Sequence, residues 1–186
     1  MSRLLRTQLL IFVLIGMYGC TLGPQDHPVA IDTTTSPAGP TSPPGTAPAQ
    51  QLSVFLVRDG RLVEVKRSGG EASDQLSAAL AALVRPASKA ERAAGLRTAL
   101  PARTTQIAWR AEDSTIVVTL PSEFEGLTTA EQVMAIAQLV YTATQNSDAE
   151  QVGFSLGEGH IEAPVGDGRL VARPVTRQDY QRVAPQ

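Results

Sequence analysis

The chain has 186 residues, with 16 basic and 18 acidic side chains and a formal net charge of −2. So weak an acidic balance argues against nucleic acid as a partner. One cysteine excludes an intrachain disulfide, so an exported domain of this sequence must be stable through its core alone.

Arg3 and Arg6 open the chain as a positive segment, Leu9 to Ile15 follow as a short apolar run, and Gly19 precedes Cys20. This is the layout of an export signal over residues 1–19. With the Cys20 thiol at the new N-terminus the pattern resembles that of bacterial lipoproteins. The resemblance implies a diacylglyceryl thioether on Cys20 and retention on the extracytoplasmic face of the cell membrane. An uncleaved anchor is the competing reading. However, Leu4 to Gly19 is interrupted by Arg6, Thr7 and Gln8 and falls short of the roughly 20 residues that span a bilayer core.

Residues 20–50 then hold the lipidated cysteine and a Pro/Thr-rich tether. The stretch from Thr33 to Pro48 offers almost nothing to a core, so burial cannot offset the entropy of ordering it. At about 3 Å per residue in a polyproline II conformation, thirty residues reach up to roughly 90 Å from the membrane.

The folded domain is expected over 51–175, with a polar tail over 176–186. Leu52 to Arg58 and Arg61 to Lys66 read as strands joined by Asp59-Gly60, a strong hairpin signal. Between 74 and 84, Leu76, Leu80 and Leu83 share a helical stripe that Pro86 stops. Ser88 and Glu91 stand at capping-box spacing before a short helix, and Gly95 is expected to end it in the left-handed conformation. A second hairpin is expected from Thr105–Arg110 and Ser114–Leu120 around Ala111-Glu112-Asp113. Thr128 and Glu131 repeat the capping-box spacing ahead of Val133, Ile136, Ala137 and Val140, a stripe running to about Thr144. Gln151–Leu156 and Ile161–Pro164 form a third strand pair around Gly157 to His160. This order predicts an α+β domain, with two main helices packed on one face of a mixed sheet.

Chemistry-bearing residues are sparse. His27 lies in the tether and His160 in a predicted turn, so no metal site and no cofactor are expected. Ser155, His160 and Asp167 supply the residue types of a nucleophilic triad, but no strained elbow sequence surrounds the serine. Gly153, Gly157 and Gly159 do not reproduce a dinucleotide fingerprint and read as turn residues. No catalytic residue is assigned, and the chain is not expected to be an enzyme. Two candidate interaction features stand out. Trp109, the sole tryptophan, is either a core residue or an exposed anchor. Glu123-Phe124-Glu125 is either a solvated turn with Phe124 stapled into the core or a binding patch for a sugar or a basic partner.

Several ordered segments together carry a family resemblance. They are Val54-Phe55-Leu56-Val57 with Asp59 to Val63, Ala79 to Leu83, Glu91 to Pro101, Glu112 to Phe124, and Glu131 to Thr142. Over roughly 52–175 this combination resembles the GerMN domain. The resemblance implies a fold similar to ring-building motifs and a lipoprotein of sporulating or actinobacterial type with a single such domain. It also implies a non-catalytic module that contacts another envelope protein or a second copy of itself. The alternative expectation is a lipoprotein that binds a cell-wall glycan or another small ligand.

Overall fold

The structure, a computed structural model, describes residues 51–69 and 74–186. The expected signal segment 1–19, Cys20 and the tether over 20–50 lie outside the described residues.

Strands β1 (Gln51–Arg58) and β2 (Arg61–Ser68) pair antiparallel with Arg58 opposite Arg61, so Asp59-Gly60 is the whole loop. Both residues take positive φ, 50° and 74°, the geometry of a type I′ turn whose twist matches that of the strands it joins. Leu52 to Val57 are all buried, and a strand enclosed in this way must satisfy the polar groups of its second edge. The odd-numbered residues of β1 do so across the domain. Val57 exchanges backbone hydrogen bonds of 2.8 and 2.9 Å with Arg97. The Phe55 N–H donates to Thr142 Oγ1 at 3.2 Å, and the Ser53 carbonyl accepts from Asn146 Nδ2 at 2.7 Å.

Helix α1 (Gln75–Val84) starts at Asp74, whose carboxylate accepts from the Ser77 N–H, and buries Leu76, Leu80 and Leu83 as the stripe predicts. Helix α2 (Lys89–Ala93) has the expected Ser88–Glu91 capping box, and Gly95 behind it takes φ 74°.

The second hairpin differs from expectation in register. Strands β3 (Ala108–Glu112) and β4 (Thr115–Leu120) bring Glu112 opposite Thr115, so the loop is Asp113-Ser114 and residues 105–107 stay outside the ladder. Asp113 supplies the positive φ, 53°, that a tight reversal needs, and Asp tolerates that region better than the residues before it. β4 also pairs in parallel with β5 (Gln151–Leu156), and as an inner strand it buries Ile116, Val117 and Val118 in succession. A parallel pair needs a crossover, and this one runs through a 3-10 turn (Ser122–Gly126) and helix α3 (Thr129–Gln145).

α3 begins at the predicted Thr128–Glu131 capping box. The expected stripe is buried, but so are Ala135, Gln138, Leu139 and Tyr141 to Ala143, because β1 and α1 as well as β5 pack against this helix. β5 then turns through Gly157-Glu158 into β6 (Gly159–His160). His160 therefore sits in a strand opposite Ser155, not in a turn. With that hairpin closed in two residues, β7 (Ala163–Pro164) is left to pair with β8 (Leu170–Val171).

The α+β class holds, with the mixed sheet formed by β3-β4-β5-β6 and the first and last hairpins as separate ladders. Packing continues past the expected boundary at 175. Val175 exchanges two 2.9 Å backbone bonds with Val152, and Tyr180, in a 3-10 segment (Arg177–Val183), is fully buried with its hydroxyl donating to the Pro164 carbonyl at 2.9 Å. Among the described residues no helix is long and apolar enough to cross a membrane.

Candidate functional site

Trp109 is half-buried on β3, opposite Val118, and packs against the core. Its indole Nε1 donates to Ser77 Oγ at 3.0 Å, and the Ser77 hydroxyl donates in turn to Asp74 Oδ2 at 2.8 Å. The residue that caps α1 thus also orients the hydroxyl that holds the indole. Trp109 thus packs against the core and also lines an open depression of about 530 Å³.

That depression lies between the N-terminal end of α1, the β3–β4 hairpin and the segment from Asn146 to Ala149 that leads from α3 to β5. Buried Leu76 and Ile116 stand beside Trp109 in its wall, while Asp113 and Asp148 are exposed at its margin. A second depression of about 300 Å³ also borders the hairpin turn and is lined by Glu112, His160 and Arg173, among others.

The acidic turn does not join this site. Phe124 is buried in the core, while Glu123 and Glu125 are exposed on the 3-10 turn, and none of the three lines either depression. With about three residues per turn, a 3-10 segment spreads successive side chains roughly 120° apart, so the ring of Phe124 faces the core while both flanking carboxylates stay in solvent.

Nor do Ser155, His160 and Asp167 converge. Ser155 is fully buried, its hydroxyl sharing a 3.2 Å hydrogen bond with Thr119 Oγ1. His160 is exposed, with Nε2 3.4 Å from Arg110 Nη2 and 3.9 Å from Glu112 Oε2. Asp167 accepts from Arg169 Nε at 2.8 Å, and that bond, ahead of the Arg169 backbone N–H, holds its carboxyl below the ordinary value. A nucleophile with no exposure and no general base within bonding distance cannot attack an external substrate.

Sequence reasoning missed Asn146, Asp148 and the role of Asp113 beside Trp109. Asn146 and Asp148 share the segment after α3 and Asp113 sits in the β3–β4 turn, and no spacing rule links these two segments to each other.

A family model described as Germane, sporulation and spore germination, matches residues 41–160. Among solved structures, the tandem GerMN domains of the sporulation protein GerM from Bacillus subtilis are similar at 21% identity and a TM-score of 0.58, covering 70% of this chain and 47% of that one. This chain therefore spans about half of the tandem structure. The first GerMN domain of the same protein gives 19% identity and a TM-score of 0.56, covering 69% of this chain and 98% of that one. At these identities the likeness establishes the fold. No protein of curated function matches the sequence.

Proposed function

The chain belongs to the Germane family and carries a GerMN domain, and on that premise we propose that it is a non-catalytic protein-interaction module of the cell envelope. In this reading a lipid on Cys20 holds the chain on the extracytoplasmic face of the membrane, and the 20–50 tether lets the domain reach a partner at a distance. The observation that carries the proposal is the disposition of the polar residues within the domain. Ser155, Thr142, Asn146 and Glu91 are each committed to holding one element against another, while the conspicuous open surface is an apolar-walled depression beside Trp109. A surface of that kind suits docking more than bond-making.

Crosslinking of the full-length chain in intact cells, followed by mass spectrometry, tests this reading, with a chain lacking residues 51–186 as control. A reproducible envelope protein that is lost with the domain is the expected result. Self-crosslinks alone would replace the reading with self-assembly. Nothing above the control would overturn it.

A further inference from the structure

We propose that the depression beside Trp109 is the docking site, and that it takes a lysine or arginine side chain of a partner protein. The inference rests on the interaction-module reading and specifies the chemistry of its partner.

Three features of the groove point to a long cationic side chain. Its wall is apolar, formed by Leu76, Trp109 and Ile116, and so matches the aliphatic stem of such a side chain. Its charged lining consists of carboxylates alone, Asp74, Asp113 and Asp148, with no cation among the lining residues. Asp113 and Asp148 are exposed at the margin and make no ion pair among the described residues, where a charged head emerging from the groove would meet them. Asp74 is engaged with Ser77 and contributes its charge without being free.

The third feature is independent of the acids. Asn146 lines the groove at 4% exposure, and its Nδ2 donates at 2.7 Å to the carbonyls of both Ser53 and Thr142, which fixes the orientation of the carboxamide. Among the described residues its Oδ1 has no hydrogen-bond partner and is closed off from solvent, an unsatisfied acceptor that a donor entering the groove would have to uncover to reach. Asn146 is also the C-cap of the 17-residue α3, whose negative dipole end therefore adjoins the groove. The opposing N-terminus of α1 is already capped by the Asp74 carboxylate. At about 530 Å³ the groove falls within the roughly 300–1,000 Å³ of ordinary ligand sites.

Trp109, as the only tryptophan, makes intrinsic fluorescence a reporter of this groove. The full chain in detergent would be titrated with a blocked octapeptide of alternating Lys and Val, and with its Glu-Val counterpart. The expected result is a saturable Trp109 signal with the Lys-Val peptide only, weakened by salt. In an Asp113→Asn/Asp148→Asn chain, affinity should fall by about threefold or more, since each exposed pair contributes modestly. Circular dichroism would verify that this double variant is folded.

No saturable signal, an equal response to the acidic peptide, or a smaller loss in the double variant would overturn the proposal. So would a signal that follows dimerisation in sedimentation, or one given only by soluble cell-wall fragments. The crosslinking experiment separates this from the parent reading. A partner captured equally by the double variant removes the groove and leaves the module, whereas no partner for the unaltered chain removes the module itself.

Discussion

Arg177 lies over the ring of Tyr141, its guanidinium carbon 5.1 Å from the centroid, while the Tyr141 hydroxyl donates to the Arg177 carbonyl at 3.3 Å. The same guanidinium donates to Thr144 Oγ1 at 2.7 Å and Gln145 Oε1 at 2.8 Å, and stands 5.9 Å from the Phe55 ring, which meets Tyr141 edge-on. One residue of the C-terminal segment is thereby bound to both α3 and β1. Arg177→Ala should destabilise the domain by about 1–3 kcal/mol, the combined range of a partly desolvated cation–π contact and charged hydrogen bonds. Arg177→Lys should recover only part of it, because an ammonium cannot fork to several acceptors. Urea midpoints at unchanged m-value would measure both.

Arg67 and Glu91 make a two-pronged ion pair, both hydrogen bonds 2.9 Å long, with both side chains largely buried. The Arg67 bonds, followed by the Ser88 N–H, hold the Glu91 carboxyl at about 2 against an ordinary 4.5. A depressed native value means that the unfolded chain takes up the proton first as pH falls. The contribution of the pair is therefore complete above about pH 4.5 and is lost between there and about 2. Glu91→Gln should lower stability at pH 7 by about 1.5–3 kcal/mol and flatten the acid limb. Asp179, lowered mainly by Arg173, should keep that limb from vanishing. Denaturant midpoints measured across pH 2–7 would show both effects.

Gly166 is constrained by a neighbour. A Cβ added there would stand 2.8 Å from the Asp179 carbonyl oxygen, which also accepts the Gly166 N–H at 2.9 Å. Backbone cannot yield as a flexible side chain does, so Gly166→Ala should cost about 1–3 kcal/mol. The effect should be local, with hydrogen exchange speeding first around 177–183. Gly126, where nothing lies within 4 Å of an added Cβ, is the control expected to change little.

The acidic turn separates core packing from surface charge within three residues. Phe124→Ala should destabilise by about 3–5 kcal/mol, as loss of a buried aromatic does. Glu123→Gln and Glu125→Gln should leave the thermal midpoint within about 0.5 kcal/mol equivalent, because both carboxylates are exposed. A Glu123 or Glu125 substitution that destabilised the domain as much as Phe124→Ala would contradict this division.

Where a feature is set by neighbours in the chain, the sequence showed it directly. Asp59-Gly60 carries its turn in its own φ preferences, and Ser88–Glu91 and Thr128–Glu131 close their capping boxes within one helical turn. The apolar stripes of α1 and α3 were legible for the same reason, since periodicity records which face is buried. It could not record that α3 is enclosed on nearly all sides, because that depends on β1 and β5 both packing on it.

The features only tertiary structure decided are those in which one side chain has a second task. Glu91 reads as a capping residue, yet Arg67 from β2 takes its other oxygen lone pairs; Thr142 falls within the expected helix and Asn146 just beyond it, yet both complete the open edge of β1. Trp109 could be read as core or anchor, and only the structure shows that Ser77, 32 positions away, accepts its indole N–H. The groove beside it is assembled from segments far apart in sequence, and chain order records neither their distance nor their shared face. Local conformational preference thus determined the elements of this protein, while long-range packing decided which polar groups are consumed in holding them and which are left at the surface.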